Sequence, residues 1–170
     1  MMKLRNAMFN TMFAVALTTM GISAHAMLPT PKNAQQASDI LQIDQRVNAF
    51  LVHQDATGKE VLQPLTASDN VARGEIVEYQ GLFTNQDTNR VRSMIATLNI
   101  PEGVELVGAV EPAIVKASTD GQRFVHMPIR ANINGQVREL PLSYYKALRW
   151  TVEDLGIGAT AVVKYRVRVK

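Results

Sequence analysis

Metal or acid–base chemistry would have to start from the three histidines, His25, His53 and His126, and their spacing supplies neither. A zinc or copper centre needs three or four converging donors. His53 has only Asp55 close by, Met127 follows His126, and no His-x-His or His-x-x-x-His pair occurs. Both read as ordinary strand-end histidines. The Gly-x-Ser-x-Gly elbow of a serine hydrolase is missing. Glu102, Glu105 and Glu111 carry no pairing pattern for glycoside hydrolysis and read as solvated carboxylates. Asp120-Gly121 reads as a turn, because no repeating set of oxygen ligands surrounds it. Lys59, Glu78 and Asn85 supply the residue types of a Lys–Asn isopeptide crosslink, but their separation does not place them together. The expectation is a protein that is not an enzyme, with no catalytic residues, no metal site and no cofactor.

One charged pattern does stand out. From Ala161 the chain alternates, with Ala161, Val163, Tyr165, Val167 and Val169 on one face of an extended strand and Val162, Lys164, Arg166, Arg168 and Lys170 on the other. A period of two marks a half-buried β-strand. Lys164, Arg166, Arg168 and Lys170 could together meet an anionic partner, such as lipid or glycan phosphates or an acidic protein. They could equally guard a terminal strand against edge-to-edge pairing, the reading that the sequence favours. Trp150 poses a similar choice between an exposed ligand platform and an inward core residue, and the inward position is favoured.

The elements that would position these residues are nearly all strands. Val47 to His53 and Lys59 to Leu65 flank the turn cluster Gln54-Asp-Ala-Thr-Gly58 and predict a hairpin. Ser38 to Arg46 fits either a short helix or an extension of the first strand, with extended structure favoured from Asp44. Glu75 to Thr84 alternates, Asn85 to Asn89 forms a turn, and Arg90 to Ile100 resumes as a strand that Pro101 ends. Val104 to Val110 follows, with a short edge piece over Pro112 to Ala117 and a strand over Gln122 to Met127 stopped by Pro128. Turns fall at Ser118 to Gly121 and at Asn132 to Gly135, and the chain closes on a hairpin about Gly156 and Gly158. This spacing predicts an all-β, antiparallel β-sandwich of about seven to nine strands.

The ends and composition suggest where the chain works. Lys3 and Arg5 precede an uncharged run from Asn6 to Ala24, and Ala24-His25-Ala26 follows, the layout of a secretory signal peptide over residues 1–26. Cleavage after Ala26 would leave 144 of the 170 residues and, by removing Lys3 and Arg5, lower the net charge from +3 to +1. That length suits one domain. Residues 27–43 read as a flexible or partly helical leader and 44–170 as the sandwich. The mature charge gives no reason to expect a nucleic-acid partner, and no second apolar span is present to hold the mature chain in a membrane. With no cysteine, disulfides, thiolate metal sites and a cysteine-linked lipid are excluded.

Several motifs appear in a recognisable order: Ala72-Arg73-Gly74-Glu75-Ile76-Val77-Glu78-Tyr79, then Asn85, Ile100-Pro101-Glu102-Gly103, Ser118-Thr119-Asp120-Gly121 with Phe124, and Arg149-Trp150 with Leu155 and Gly158 before the last strand. Over Val71 to Val169 this order resembles the bacterial "conserved repeat" family of surface domains, number eleven among domains of unknown function. Arg73, Glu75 and Leu98 depart from that family's usual proline and aspartates without disturbing the strand pattern. The resemblance implies an immunoglobulin-like module of the cell envelope. The expectation is therefore an exported, non-enzymatic protein of the periplasm or cell surface, acting as a structural or protein-interaction module with another envelope protein as partner. The alternative is a small protein that binds an anionic envelope lipid or glycan through the basic strand face. Mass spectrometry of the exported protein should find Met27 at its N-terminus; a chain that keeps Lys3 and Arg5 would refute the signal-peptide assignment.

Overall fold

In a computed structural model, residues 42–170 are described. The signal peptide assigned to residues 1–26 and the leader up to residue 41 lie outside the described residues. Eleven strands follow one another: β1 (Ile43–Gln54), β2 (Glu60–Leu65), β3 (Ile76–Asn85), β4 (Val91–Asn99), β5 (Val104–Glu111), β6 (Lys116–Ser118), β7 (Val125–His126), β8 (Arg130–Ile133), β9 (Gln136–Glu139), β10 (Ala147–Leu155) and β11 (Thr160–Val169). The chain is all-β, and its strands pair antiparallel. A five-stranded sheet has the order β2-β1-β3-β11-β5, a four-stranded sheet the order β4-β10-β6-β7, and β8-β9 forms a hairpin of its own.

The two large sheets together hold nine strands, within the expected seven to nine, and the β8–β9 hairpin adds two among the described residues. The strand expected over Gln122 to Met127 shrinks to β7, because Asp120 ties its first residues into a turn by accepting the N–H groups of Gln122 and Arg123 at 2.8 Å. The piece expected over Pro112 to Ala117 pairs only as β6, from Lys116 onward. The turn at Asn132 to Gly135 joins β8 to β9, which stand mostly in solvent and so show no buried alternation. At the other end the extended reading is correct from Asp44, and Ile43 already belongs to β1.

The two large sheets face each other across one apolar core. Val77, Tyr79 and Phe83 of β3 and Val163, Tyr165 and Val167 of β11 point inward, against Ala96 and Leu98 of β4 and Leu148 and Trp150 of β10. Fully burying a large apolar side chain contributes about 1.5–3 kcal/mol, so these strands form the stable centre. The Tyr79 and Tyr165 rings stack with centroids 5.4 Å apart, and burial pushes the Tyr79 phenol up to about 12. Tyr165 Oη donates to the Asn99 carbonyl at 2.8 Å, which stitches one sheet to the other. Gly81 lies on the inward face of β3 where Leu98 leans in; a Cβ there would come within 2.9 Å of Leu98 Cδ1 and 3.2 Å of Phe83 Cε2. The close approach of the sheets depends on that missing side chain. Gly81→Val should lower stability by about 1–3 kcal/mol through overpacking, read as an earlier midpoint in chemical denaturation; an unchanged midpoint would show that the core yields freely at Leu98.

Candidate functional site

The basic face of β11 is placed as the alternation requires, but its charges already have partners. Lys164 Nζ lies 2.9 Å from Glu111 of β5, and Arg168 Nη1 lies 3.6 Å from Glu105 of the same strand. Arg166 donates from Nε to Glu78 of β3 at 2.8 Å and from Nη1 and Nη2 to the two oxygens of Glu60 at 2.8 and 2.6 Å. Lys170 is exposed, and its backbone N–H donates to Gly103. Glu105 and Glu111 are therefore ion-pair partners and not merely solvated carboxylates. The favoured explanation of the ladder is also corrected: β11 lies between β3 and β5, so its charges guard no sheet edge.

Arg166 is the centre of this network. Glu60 belongs to β2, three strands away in the sheet order, about 14 Å in a flat sheet, so the contact spans two intervening strands through two long side chains. The Glu60 carboxylate holds the Arg166 proton more tightly than usual, with Glu78 adding to it against partial burial, and Arg166 in turn lowers the Glu60 pKa. The Glu78 side chain is 3% exposed and also accepts from Gln80 Nε2 at 2.7 Å. Neighbours seven residues apart on a strand point to opposite faces, so Glu78 and Asn85 do not assemble an isopeptide centre.

A second region was not visible in the sequence. β10 has β4 along its whole length on one side, but on the other side β6 pairs only with Ala147 to Arg149. On β11, pairing with β5 starts at Lys164 and leaves Thr160 to Val163 without a strand on that side among the described residues. The chain itself causes this gap. Gly108 and Ala109 adopt positive φ, 99° and 49°, and register shifts interrupt the β5–β11 ladder beside them. Such bulges bend a strand; the ladder resumes at Lys164↔Glu111 and stops at Pro112, which has no N–H to offer it. The chain then crosses to the smaller sheet over residues 112–115, and Trp150 Nε1 pins the crossing by donating to the Pro112 carbonyl at 2.9 Å. Trp150 is inward, as favoured, and 2% exposed.

Between this crossing and the open edges of β10 and β11 lies a cleft of about 600 Å³. Pro112, Ile114, Val115, Val152 and Val162 form its apolar wall, and Ile114 at its mouth is 83% exposed. Lys116, His126 and Arg149 also line it. These three share one row across the smaller sheet, since Lys116 is the cross-strand neighbour of both Arg149 and His126. Arg149 lies 3.5 Å above the centre of the Phe124 ring and donates to Thr97 Oγ1 at 3.1 Å. Below the row, Ser118 Oγ donates to Asp120 at 2.8 Å. The N–H groups of Gln122 and Arg123, helped by this hydroxyl, bring the Asp120 carboxyl down to about 2. His53, by contrast, lies exposed near the end of β1. Among the described residues, no group of three or more His, Asp or Glu is placed to hold a metal ion, and no helix is long and apolar enough to cross a membrane.

Arg166→Met should lower stability by about 2–3 kcal/mol, because it strands the buried Glu78 carboxylate; the figure is reduced for the partial exposure of Arg166. Arg166→Met with Glu78→Leu should recover most of that loss in urea denaturation, and equal destabilisation by both variants would contradict the assignment. The Asp120 turn has the sign of a depressed acid: its stabilisation is complete above the ordinary carboxyl value near ~4 and is lost as pH falls through about 2.

No protein-family model, no curated protein and no solved structure matches the chain.

Proposed function

We propose that this protein is an exported, non-enzymatic interaction module of the cell envelope, and that it takes up an extended segment of another envelope protein by strand addition along β10. The single observation that carries this reading is the open edge of β10 beyond Arg149, facing an apolar cleft. An unpaired strand edge offers a row of backbone donors and acceptors, which confer affinity, and flanking pockets select alternate side chains. Exposed edges of this kind are a hazard that folds normally cover or blunt. Here Ile114, Val152 and Val162 surround the edge with apolar surface and invite company. The export signal and the resemblance to an envelope-domain family support the location.

The alternative of an anionic lipid or glycan held by Lys164, Arg166, Arg168 and Lys170 has weaker support. Such a ligand would have to displace the carboxylates of Glu60, Glu78, Glu105 and Glu111 from the first three.

A photo-crosslinking residue placed at Thr151 or Ile114 in the envelope should capture one specific protein, while the same residue at Asn48, on the outer face of the larger sheet, should not. With that partner purified, hydrogen exchange should slow at Trp150 to Leu155. Protection confined to the outer face of the larger sheet, with β10 exchanging as in the free protein, would sink strand addition.

A further inference from the structure

The smaller sheet treats its charges differently from the larger one. On the larger sheet, Lys164, Arg166 and Arg168 each meet a carboxylate from a neighbouring or overhanging strand. On the smaller sheet, Lys116 stands directly across from Arg149 on one side and from His126 on the other. Lys116 and Arg149 are thus like charges in cross-strand positions, an arrangement that destabilises a sheet. Arg149 is occupied by an aromatic ring and a hydroxyl, neither of which neutralises it. The single carboxylate lining the cleft, Glu153, sits four residues beyond Arg149 on β10, about 13 Å along the strand.

The position of this row is the second part of the argument. The pairing Ala147↔Ser118 and Arg149↔Lys116 would continue opposite Thr151 and Glu153 if β6 were longer. A strand added to the open edge occupies that vacated place, in line with β6, so one of its ends abuts Lys116. An added strand therefore brings one terminal position, and only one, against the basic row. Resting on the strand-addition reading, we infer that the segment received by β10 is acidic at that end: it carries an Asp or Glu side chain, or a chain-terminal carboxylate, that Lys116, Arg149 and His126 take up. The acid relieves the repulsion within the row, its charge-assisted hydrogen bonds fix the register of the incoming strand, and the apolar wall selects its other side chains. A basic or neutral segment would leave the repulsion in place, which gives the site a means of rejecting wrong partners.

The test uses the purified protein and a display library of random extended peptides of about six residues, the length that Trp150 to Leu155 can pair. Selected peptides should carry Asp, Glu or a free C-terminus at one end position, protect the β10 amides, and bind more weakly as salt rises. Lys116→Glu should weaken these peptides by about ten-fold and shift the selection to Lys or Arg at the same position. Because this variant replaces a repulsive pair by an attractive one, it should melt no lower than the parent, so the loss cannot come from unfolding. Selected peptides that protect β10 but show no charge preference, or the same acidic preference with Lys116→Glu, would overturn the inference and leave strand addition standing. No peptide selected above background would overturn both.

Discussion

The side-chain amide of Asn85 sits 1% exposed between two turns. Its Nδ2 donates to the carbonyls of Asn89 at 2.9 Å, Leu155 at 3.2 Å and Gly156 at 3.1 Å, while its Oδ1 accepts the N–H of Asp87 at 2.9 Å. The backbone of the same residue donates to Ala159 and accepts from Gly158. One residue thus ties the β3–β4 turn to the β10–β11 turn, and through them the larger sheet to the smaller. Each buried carbonyl left without a donor costs about 1–3 kcal/mol, and no aliphatic side chain could replace what the amide supplies. β10 and β11 are the two strands whose open edges border the cleft, and this clamp holds the turn that joins them.

The two outer faces then follow opposite charge rules. Across β11 every cation from Lys164 to Arg168 finds an acid, and Arg166 is satisfied twice, once by a Glu78 side chain nearly excluded from water. That network belongs to the architecture: it ties the β1–β2 hairpin to β11 and occupies the cations that a bare basic ladder would have offered. Among the described residues, Lys116 and Arg149 form no such ion pair. A protein that pairs Lys164, Arg166 and Arg168 on one face and leaves Lys116 and Arg149 unpaired beside an open strand edge concentrates its available interaction energy at the second.

The sequence revealed the strands that alternate and concealed the contacts made at long range. The last strand was legible because Val163, Tyr165 and Val167 obey a period of two, and Trp150 because its neighbours Leu148 and Val152 share its phase. Ion pairing of the ladder was not legible, since Glu60 and Glu78 lie 106 and 88 residues away from Arg166 and no local rule joins them. Nor was β11's interior place in its sheet: it lies between β3 and β5, an order that alternation does not encode. The basic row was hidden for the same reason. Lys116, His126 and Arg149 come from three separate strands, none of them notable alone, and only the registers of β6 with β7 and β10 align them.

The cleft was harder still to foresee, because it is made by pairing that stops. Gly108 permits a positive φ freely, but Ala109 holds one at a cost of about 1–2 kcal/mol. Pairing resumes beyond this bend at Lys164↔Glu111, and it is Pro112, without an N–H, that stops the ladder there. Just past the bend Pro112 meets Trp150, and among the described residues β10 has no strand on that side from Trp150 to Leu155. Strain that the surrounding contacts must hold in place tends to persist where it serves a site, and here it stands at the hinge of the wall lined by Ile114 and Val115. The indole of Trp150, donating to the Pro112 carbonyl from the centre of the core, fixes the far side of that wall. An opening framed by a strained bend on one side and a core tryptophan on the other is held open by the fold, and its width is set before any partner arrives.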